Sequence, residues 1–156
     1  MKITDLLTLE RIQIVSDVAS KKRALEILSE MIADDASGTS AGAVFNKLVG
    51  RERLGSTGLG HGVALPHARL ESVKEARGAL LRLSQGIDFD TFDRQPVDLL
   101  FTLVVPEHFT DEHLQILASL AELFSDQELC QQLRQPSEPA TIYQRLLSWQ
   151  EAAKLD

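Results

Sequence analysis

The chain has 156 residues, enough for one domain over 1–156 whose core needs neither disulfides nor a structural metal. Its 23 acidic and 16 basic residues give a formal net charge of -7, and no lysine-arginine run is long enough to follow a phosphate backbone, which argues against nucleic acid as a partner. The single cysteine excludes an internal disulfide, and the lack of an apolar run of about 20 residues predicts a cytoplasmic protein with no membrane insertion.

Two amphipathic helices are predicted in the first third of the chain. They follow a short segment in which Ile12 and Ile14 alternate with polar residues, and Ser20 and Ser40 are suitable N-caps for them. The second helix is expected to end near 50–54. The inner faces are formed by Leu25, Leu28 and Ile32 in the first helix and by Ala41, Val44, Phe45, Leu48 and Val49 in the second.

A glycine-rich loop then leads into a short apolar run that ends at a proline. Residues 55–62 include four glycines, which permit tight turns and close approach of the backbone to a ligand. The run at 62–65 is too short for a helix and fits a buried strand. Because Pro66 cannot donate to a sheet ladder, His67 is expected to emerge at the rim of the sheet as a reachable, nucleophilic imidazole. An ordinary loop followed by a surface histidine is the alternative interpretation.

The second half alternates strands and helices. A strand is predicted at 79–84, followed by a turn at Gln85-Gly86, and the almost wholly apolar run 97–105 fits a central strand covered on both faces. After Pro106, Thr110 is expected to cap a helix. The remaining expectations are a face formed by Leu117, Leu120 and Phe124, a packed Cys130 thiol on a helix, and a last helix over 140–152 with Ile142, Leu146 and Trp149 inward. The predicted fold is an α/β three-layer sandwich, a mixed β-sheet with helices on both faces.

Two histidines follow strands that end at proline. His113 lies in the first turn of its helix, where the positive end of the helix dipole favours an anion and lowers the pKa of an imidazole. If the two strands are neighbours with these ends on the same side, His67 and His113 meet, and such a pair suits phosphoryl transfer. Arg51 and Arg53 are candidates for a phosphate fork, although solvated charge at a helix C-terminus is the more common role. No Walker sequence is present, so a nucleotide donor is not indicated.

Two blocks of the sequence carry a resemblance to a known family. The first, at 51–67, reads RERLGSTGLGHGVALPH; the second consists of QPVDLLF at 95–101, VP at 105–106 and DEHL at 111–114. Together, in this order and at this separation, they resemble the enzyme IIA domains of the phosphoenolpyruvate-dependent phosphotransferase system, mannitol/fructose type. The resemblance runs nearly end to end, and the motif RERLGSTG looks most like the nitrogen-related branch.

The resemblance implies a role for three residues. His67 would be the phosphoacceptor, phosphorylated on Nε2 by the phosphohistidine of a small histidine phosphocarrier protein. His113 would hydrogen-bond the incoming phosphoryl group, and Arg51 would offset its charge, with no metal or cofactor. Members of the nitrogen-related branch carry no sugar-permease domains and act mainly as regulators whose phosphorylated and unphosphorylated forms bind different targets. We also expect apolar residues around the site to dock the carrier.

One position departs from the family pattern. His61 stands where relatives usually carry Asn, Asp or Glu, and it either supplies the same polar contact or is a loop histidine without a catalytic part. Arg53, Ser56 and Thr57, in the same block, are additional candidate site residues.

Three alternatives stay open at this point. The first is an enzyme IIA that passes phosphate to a sugar permease. The second is a zinc enzyme with His61, His67 and His113 as ligands around an open water position, although no His-Glu-x-x-His pair is present. The third is a structural adaptor in which the histidines are incidental.

Overall fold

A computed structural model describes residues 2–153. Over this range the chain forms six strands and five α-helices, together with three short 3-10 turns. The strands are β1 Ile12–Val15, β2 Gly58–Gly60, β3 Val63–Ala64, β4 His67–Leu70, β5 Arg77–Ile87 and β6 Val97–Pro106. The helices are α1 Lys21–Ile32, α2 Ala41–Glu52, α3 Asp111–Phe124, α4 Gln127–Arg134 and α5 Pro139–Ala153.

The strands form one mixed sheet in the order β1-β5-β6-β3-β2, with β4 also paired to β6. β6 is antiparallel to β5 and parallel to both β3 and β4. Its side chains alternate between two hydrophobic clusters: Leu100 and Val104 belong to one, and Leu99 and Leu103 to the other. This alternation confirms that 97–105 is a central strand covered on both faces.

Helices cover both faces of the sheet. The cluster on one side contains the inner faces of α1 and α2, and the cluster on the other side contains those of α3, α4 and α5. The three-layer α/β sandwich predicted from the alternation of elements is therefore confirmed. Cys130 is buried on α4, as expected of a packed thiol.

Two of the three predicted N-caps make the capping hydrogen bond. Ser20 accepts a hydrogen bond from the backbone N–H of Arg23 at 3.1 Å, and Ser40 accepts one from that of Ala43 at 3.1 Å. Thr110 occupies the N-cap position of α3, but its side chain makes no capping hydrogen bond. The prediction that Thr110 occupies the N-cap position is confirmed, whereas the prediction of a capping hydrogen bond from its side chain is wrong.

The chain does not leave the sheet at Pro66, but His67 still lies at the rim of the sheet, because it begins an edge strand, β4. Val63 pairs with Leu99 and His67 with Leu103, so β3 and β4 keep one register beside β6. Proline lacks the backbone N–H donor but keeps its carbonyl acceptor. The carbonyl of Pro66 still accepts from the backbone N–H of Leu103 at 3.0 Å, and the strand line continues. His67 is thus the first residue of β4, which among the described residues pairs with β6 alone, rather than a residue beyond the sheet.

The turn predicted at Gln85-Gly86 is also wrong. β5 continues through Gly86 to Ile87, which pairs with Val97, and a register shift after Arg82 absorbs the extra residues. A Cβ at Gly86 would lie 2.7 Å from the Cβ of Pro96. The glycine therefore permits close packing of two chain segments instead of a reversal.

Candidate phosphoryl-transfer site

The parallel pairing of β4 with β6 brings the two histidines together. His67 begins β4, while β6 runs past it to Pro106 and a short loop leads into α3, whose third residue is His113. The two imidazole centroids are 5.4 Å apart, and the ring planes meet at 73°. The predicted meeting of these residues is confirmed.

The tautomer of His67 is set by the backbone. Its Nδ1 lies 2.8 Å from the carbonyl oxygen of Leu65, an acceptor only, so Nδ1 carries the proton and donates it. The lone pair is then on Nε2. Burial lowers the pKa of His67 below its ordinary value, and the charge of Arg51 acts in the same direction; the bond to Leu65 and the charge of Glu52 oppose the shift. His67 is a half-buried imidazole whose lowered pKa favours the neutral form, with its lone pair on Nε2.

The second histidine of the pair, His113, also has a lowered pKa. Its pKa is lowered to about 4, first by burial and then by the charges of His67 and Arg69. The direction agrees with the expectation for a helix start, while burial is the largest cause. Its Nε2 atom is buried and has no hydrogen-bond partner within residues 2–153. An unpaired buried nitrogen costs free energy, and a ligand oxygen at this point would remove that cost.

Arg51 lies in the last turn of α2 and lines the same cavity as the two histidines. Its Nη1 donates to the carbonyl of Gly55 at 2.9 Å, which ties the guanidinium to the start of the glycine-rich loop. Arg69, which was not singled out from the sequence, also lines the cavity. The spacing of Arg69 from His67 could have identified it, because residues two apart on a strand share a face and Arg69 follows His67 by two on β4.

Apolar side chains project at the edge of this cavity. Leu54 is 84% exposed and Leu114 is 66% exposed, and both line it. Large apolar side chains left in water beside a reactive group are typical of a surface that binds a protein. The expected apolar rim is present.

Three candidates from the glycine-rich block lie outside the cavity. Arg53 lines a separate depression with Lys21. The hydroxyl of Ser56 donates to the carbonyl of Phe89 at 3.0 Å. Thr57 is buried, and its hydroxyl donates to Glu52. Ser56 and Thr57 therefore hold the loop in place rather than reach the histidines.

Glu52 is a structural residue that the sequence reasoning missed. Its carboxylate is 5% exposed, forms an ion pair with Lys21 at 2.8 Å and accepts from the backbone N–H of Thr57 at 3.2 Å. Since Glu52 directly follows Arg51, this network fixes the chain on both sides of the turn that Arg51 contacts. No spacing rule reveals such a pair, because Lys21 belongs to a different helix.

His61 lies near the other end of β6. Gly62, next to it, accepts from the backbone N–H of Asp98, whereas His67 pairs with Leu103. Five residues of strand correspond to roughly 16 Å, so His61 does not reach the paired histidines. The site with His61, His67 and His113 as three zinc ligands is therefore wrong. Within residues 2–153, no group of three or more His, Cys, Asp or Glu side chains is placed to hold a metal ion.

The backbone explains the residue type at position 61. His61 has φ of +55°, a left-handed conformation in which Asn, Asp and His are enriched among non-glycine residues. Its N–H donates to Asp93 at 3.0 Å and its carbonyl accepts from Arg134 at 2.7 Å. The side chain is exposed. His61 thus fits a turn between β2 and β3.

No helix in the part of the chain that the structure describes is long and apolar enough to cross a membrane.

Comparison with known proteins agrees with this geometry. Residues 5–149 match the family described as phosphoenolpyruvate-dependent sugar phosphotransferase system, EIIA 2. A nitrogen regulatory protein of Bradyrhizobium diazoefficiens is 42% identical over 143 residues, covering 92% of this chain and 93% of that protein. One from Pseudomonas aeruginosa is 38% identical over 144 residues, covering 92% and 94%. The crystal structure of nitrogen regulatory protein IIA-Ntr from Neisseria meningitidis has a TM-score of 0.85 and 41% identity, covering 92% of this chain and 98% of that one.

The match spans nearly the whole chain, and these relatives share both its fold and its sequence at about 40% identity. The chain belongs to the enzyme IIA family of the phosphoenolpyruvate-dependent phosphotransferase system, in its nitrogen-regulatory branch.

Proposed function

We propose that His67 accepts a phosphoryl group on Nε2 from the phosphohistidine of a small histidine phosphocarrier protein, and that the phosphorylation state decides which target proteins the chain binds. One observation carries this proposal. The Nδ1 proton of His67 is committed to the carbonyl of Leu65, so Nε2 is free to attack, and the ring of His113, whose Nε2 has no partner within the described residues, lies 5.4 Å away between centroids. A neutral nucleophile and a neutral donor or acceptor are thereby held together.

The transfer is an in-line exchange of one phosphorus–nitrogen bond for another. The lone pair on Nε2 of His67 attacks phosphorus as the bond to the donor imidazole breaks, and the electron pair of that bond returns to the donor ring. Charge is spread over three phosphoryl oxygens during the exchange. Arg51 supplies a cation, and Nε2–H of His113 supplies a hydrogen bond in the tautomer that protonates it.

The rim around the histidines suits docking of the carrier. Leu54 and Leu114 offer exposed apolar contact in the lining of the cavity that holds His67. Burying them in a complex removes apolar surface from water, which favours association, and excludes water from the transfer.

A regulatory output follows from the charge of the product. A phosphoryl group on His67 adds about -1.5 to -2 charges to this face at pH 7, enough to change which surfaces it can bind. The sugar-uptake alternative uses the same chemistry at His67 and differs in the final acceptor. The names of the similar proteins support regulation.

Incubation with phosphoenolpyruvate, enzyme I and the carrier tests the phosphoacceptor role. Wild type is expected to gain acid-labile phosphate, His67→Ala to gain none, and His108→Gln to match wild type, because His108 is exposed and does not line the cavity. The proposal is wrong if wild type gains no phosphate or if His67→Ala gains as much. Target binding is then compared between the two forms, and equal binding of every target would contradict regulation by phosphorylation state.

A further inference from the structure

We infer that Arg69 is a second phosphoryl-binding residue, which together with Arg51 holds the phosphoryl group on Nε2 of His67 between two guanidinium groups. The inference rests on the proposed phosphoacceptor role of His67 and adds a contact from the strand that carries it. A phosphoryl group with three oxygens can accept from donors on more than one side, and arginine offers planar, bidentate geometry.

Strand geometry places Arg69 on the same side as His67. Side chains alternate along β4: Ala68 and Leu70 are buried in the core, whereas His67 and Arg69 face the cavity. Arg51 approaches from the end of α2, a different element. The two arginines therefore reach one cavity from two elements.

Among residues 2–153, the guanidinium of Arg69 has no carboxylate partner. Within the described residues, Arg77 and Arg134 pair with Asp34 and Asp98, but neither Arg51 nor Arg69 has a carboxylate oxygen within 4.0 Å. The one hydrogen bond of Arg69 in this range is a long one, from Nη1 to the carbonyl of Phe109 at 3.5 Å. In a chain with net charge -7, two unpaired arginines beside a nucleophile leave a site whose missing partner is an anion.

Each arginine keeps donors to spare. A guanidinium has five N–H groups, and Arg51 and Arg69 each commit one nitrogen to a backbone carbonyl, that of Gly55 or Phe109. These bonds orient the side chains and leave the other N–H groups for phosphoryl oxygens. The charge of Arg69 also acts on His113, whose pKa it helps to lower, so its field already reaches the paired histidines.

Phosphorus NMR of the phosphorylated chain tests this contact. The full chain is phosphorylated with phosphoenolpyruvate, enzyme I and the carrier, and the second ionisation of the phosphoryl group, ordinarily near a pKa of about 6, is followed against pH. A cation in contact favours the dianion and lowers that pKa. Arg69→Gln is therefore expected to raise the titration midpoint by several tenths of a unit, and Arg69→Lys to give an intermediate value.

A matched control removes a positive charge elsewhere. Arg94 is exposed in the loop before β6, at the opposite end of that strand from Pro106, and Arg94→Gln is expected to titrate like wild type. The transfer rate of Arg69→Gln should fall about tenfold, less than on removal of a buried donor, because an exposed charge is screened.

The two possible failures are distinguishable. A midpoint for Arg69→Gln equal to those of wild type and Arg94→Gln overturns the inference and leaves the phosphoacceptor role of His67 intact. If wild type gives no phosphohistidine signal, the proposed function is wrong, and the role of Arg69 falls with it.

Discussion

The ring of His113 meets that of His67 edge to face, with centroids 5.4 Å apart, and its Nε2 atom is buried without a partner inside residues 2–153. Because its pKa is lowered to about 4, the His113 imidazole stays neutral at neutral pH. In the proposed transfer, a phosphoryl oxygen on Nε2 of His67 would supply the missing partner.

Loss of the His113 imidazole should slow phosphoryl transfer without abolishing it. His113→Ala is expected to lower the initial rate of phosphorylation roughly 100-fold, the usual cost of removing one preorganised donor. His113→Gln should retain part of the rate, because its amide can still donate. Initial rates with limiting carrier measure the effect, and an unchanged rate for His113→Ala would exclude a role in transfer.

Acid should destabilise the fold through protonation of His113. The pKa of His113 is lowered from 6.5 to about 4, so between these values the unfolded chain binds more protons than the folded one. The contribution of neutral His113 to the free energy of unfolding is complete above pH 6.5 and is lost as pH falls toward 4. Urea unfolding at a series of pH values should therefore show a shallower pH dependence for His113→Gln than for wild type. Parallel curves for the two proteins would contradict the low pKa.

The reaction itself should tolerate mild acid. Nucleophilic attack requires neutral His67, whose pKa lies below its ordinary value mainly because of burial. Phosphorylation by phosphoramidate, a small donor that bypasses docking, should therefore have its midpoint below the ordinary value of 6.5. A midpoint at or above that value would mean that burial does not control the titration.

The buried ion pair beside Arg51 should matter for stability. Glu52→Gln removes the charge that Lys21 pairs with, and it is expected to lower the free energy of unfolding by about 1–3 kcal/mol. Glu26→Gln is the matched control, because Glu26 contacts Arg23 at 3.6 Å in an exposed pair whose loss costs about 0–1 kcal/mol. Urea denaturation compares the two, and equal losses would show that the Glu52 network adds nothing beyond a surface pair.

Two glycines should respond oppositely to alanine. Gly62 has φ of +82°, and a Cβ there would lie 2.7 Å from Nη2 of Arg134, so Gly62→Ala should destabilise the fold by about 1–3 kcal/mol. Gly42 in α2 has open space around a Cβ, and Gly42→Ala should be neutral or stabilise by up to about 1 kcal/mol. Thermal unfolding of both variants checks the signs. A neutral Gly62→Ala would mean that the β2–β3 turn relaxes around the added methyl group.

Features that depend on near neighbours in the chain were predictable. The side chains of Ser20 and Ser40 accept from N–H groups three residues further along the chain. The apolar run at 97–105 predicts by its composition alone a strand that is buried on both faces. The proline-histidine corner at 66–67 likewise marked His67. Its pairing with His113 needed one added assumption, that two strands lie side by side.

The sequence by itself therefore singled out the two histidines that the fold pairs, the helix starts and, through its two motif blocks, the family. Only the tertiary structure decided that β4 continues the line of β3 past Pro66, that Arg69 joins Arg51 at the cavity, and that His61 lies roughly 16 Å away along β6. The physical reason is strand register. Local patterns specify which face a side chain takes, whereas the register of β4 against β6, set by packing across the whole sheet, specifies which distant side chains share that face.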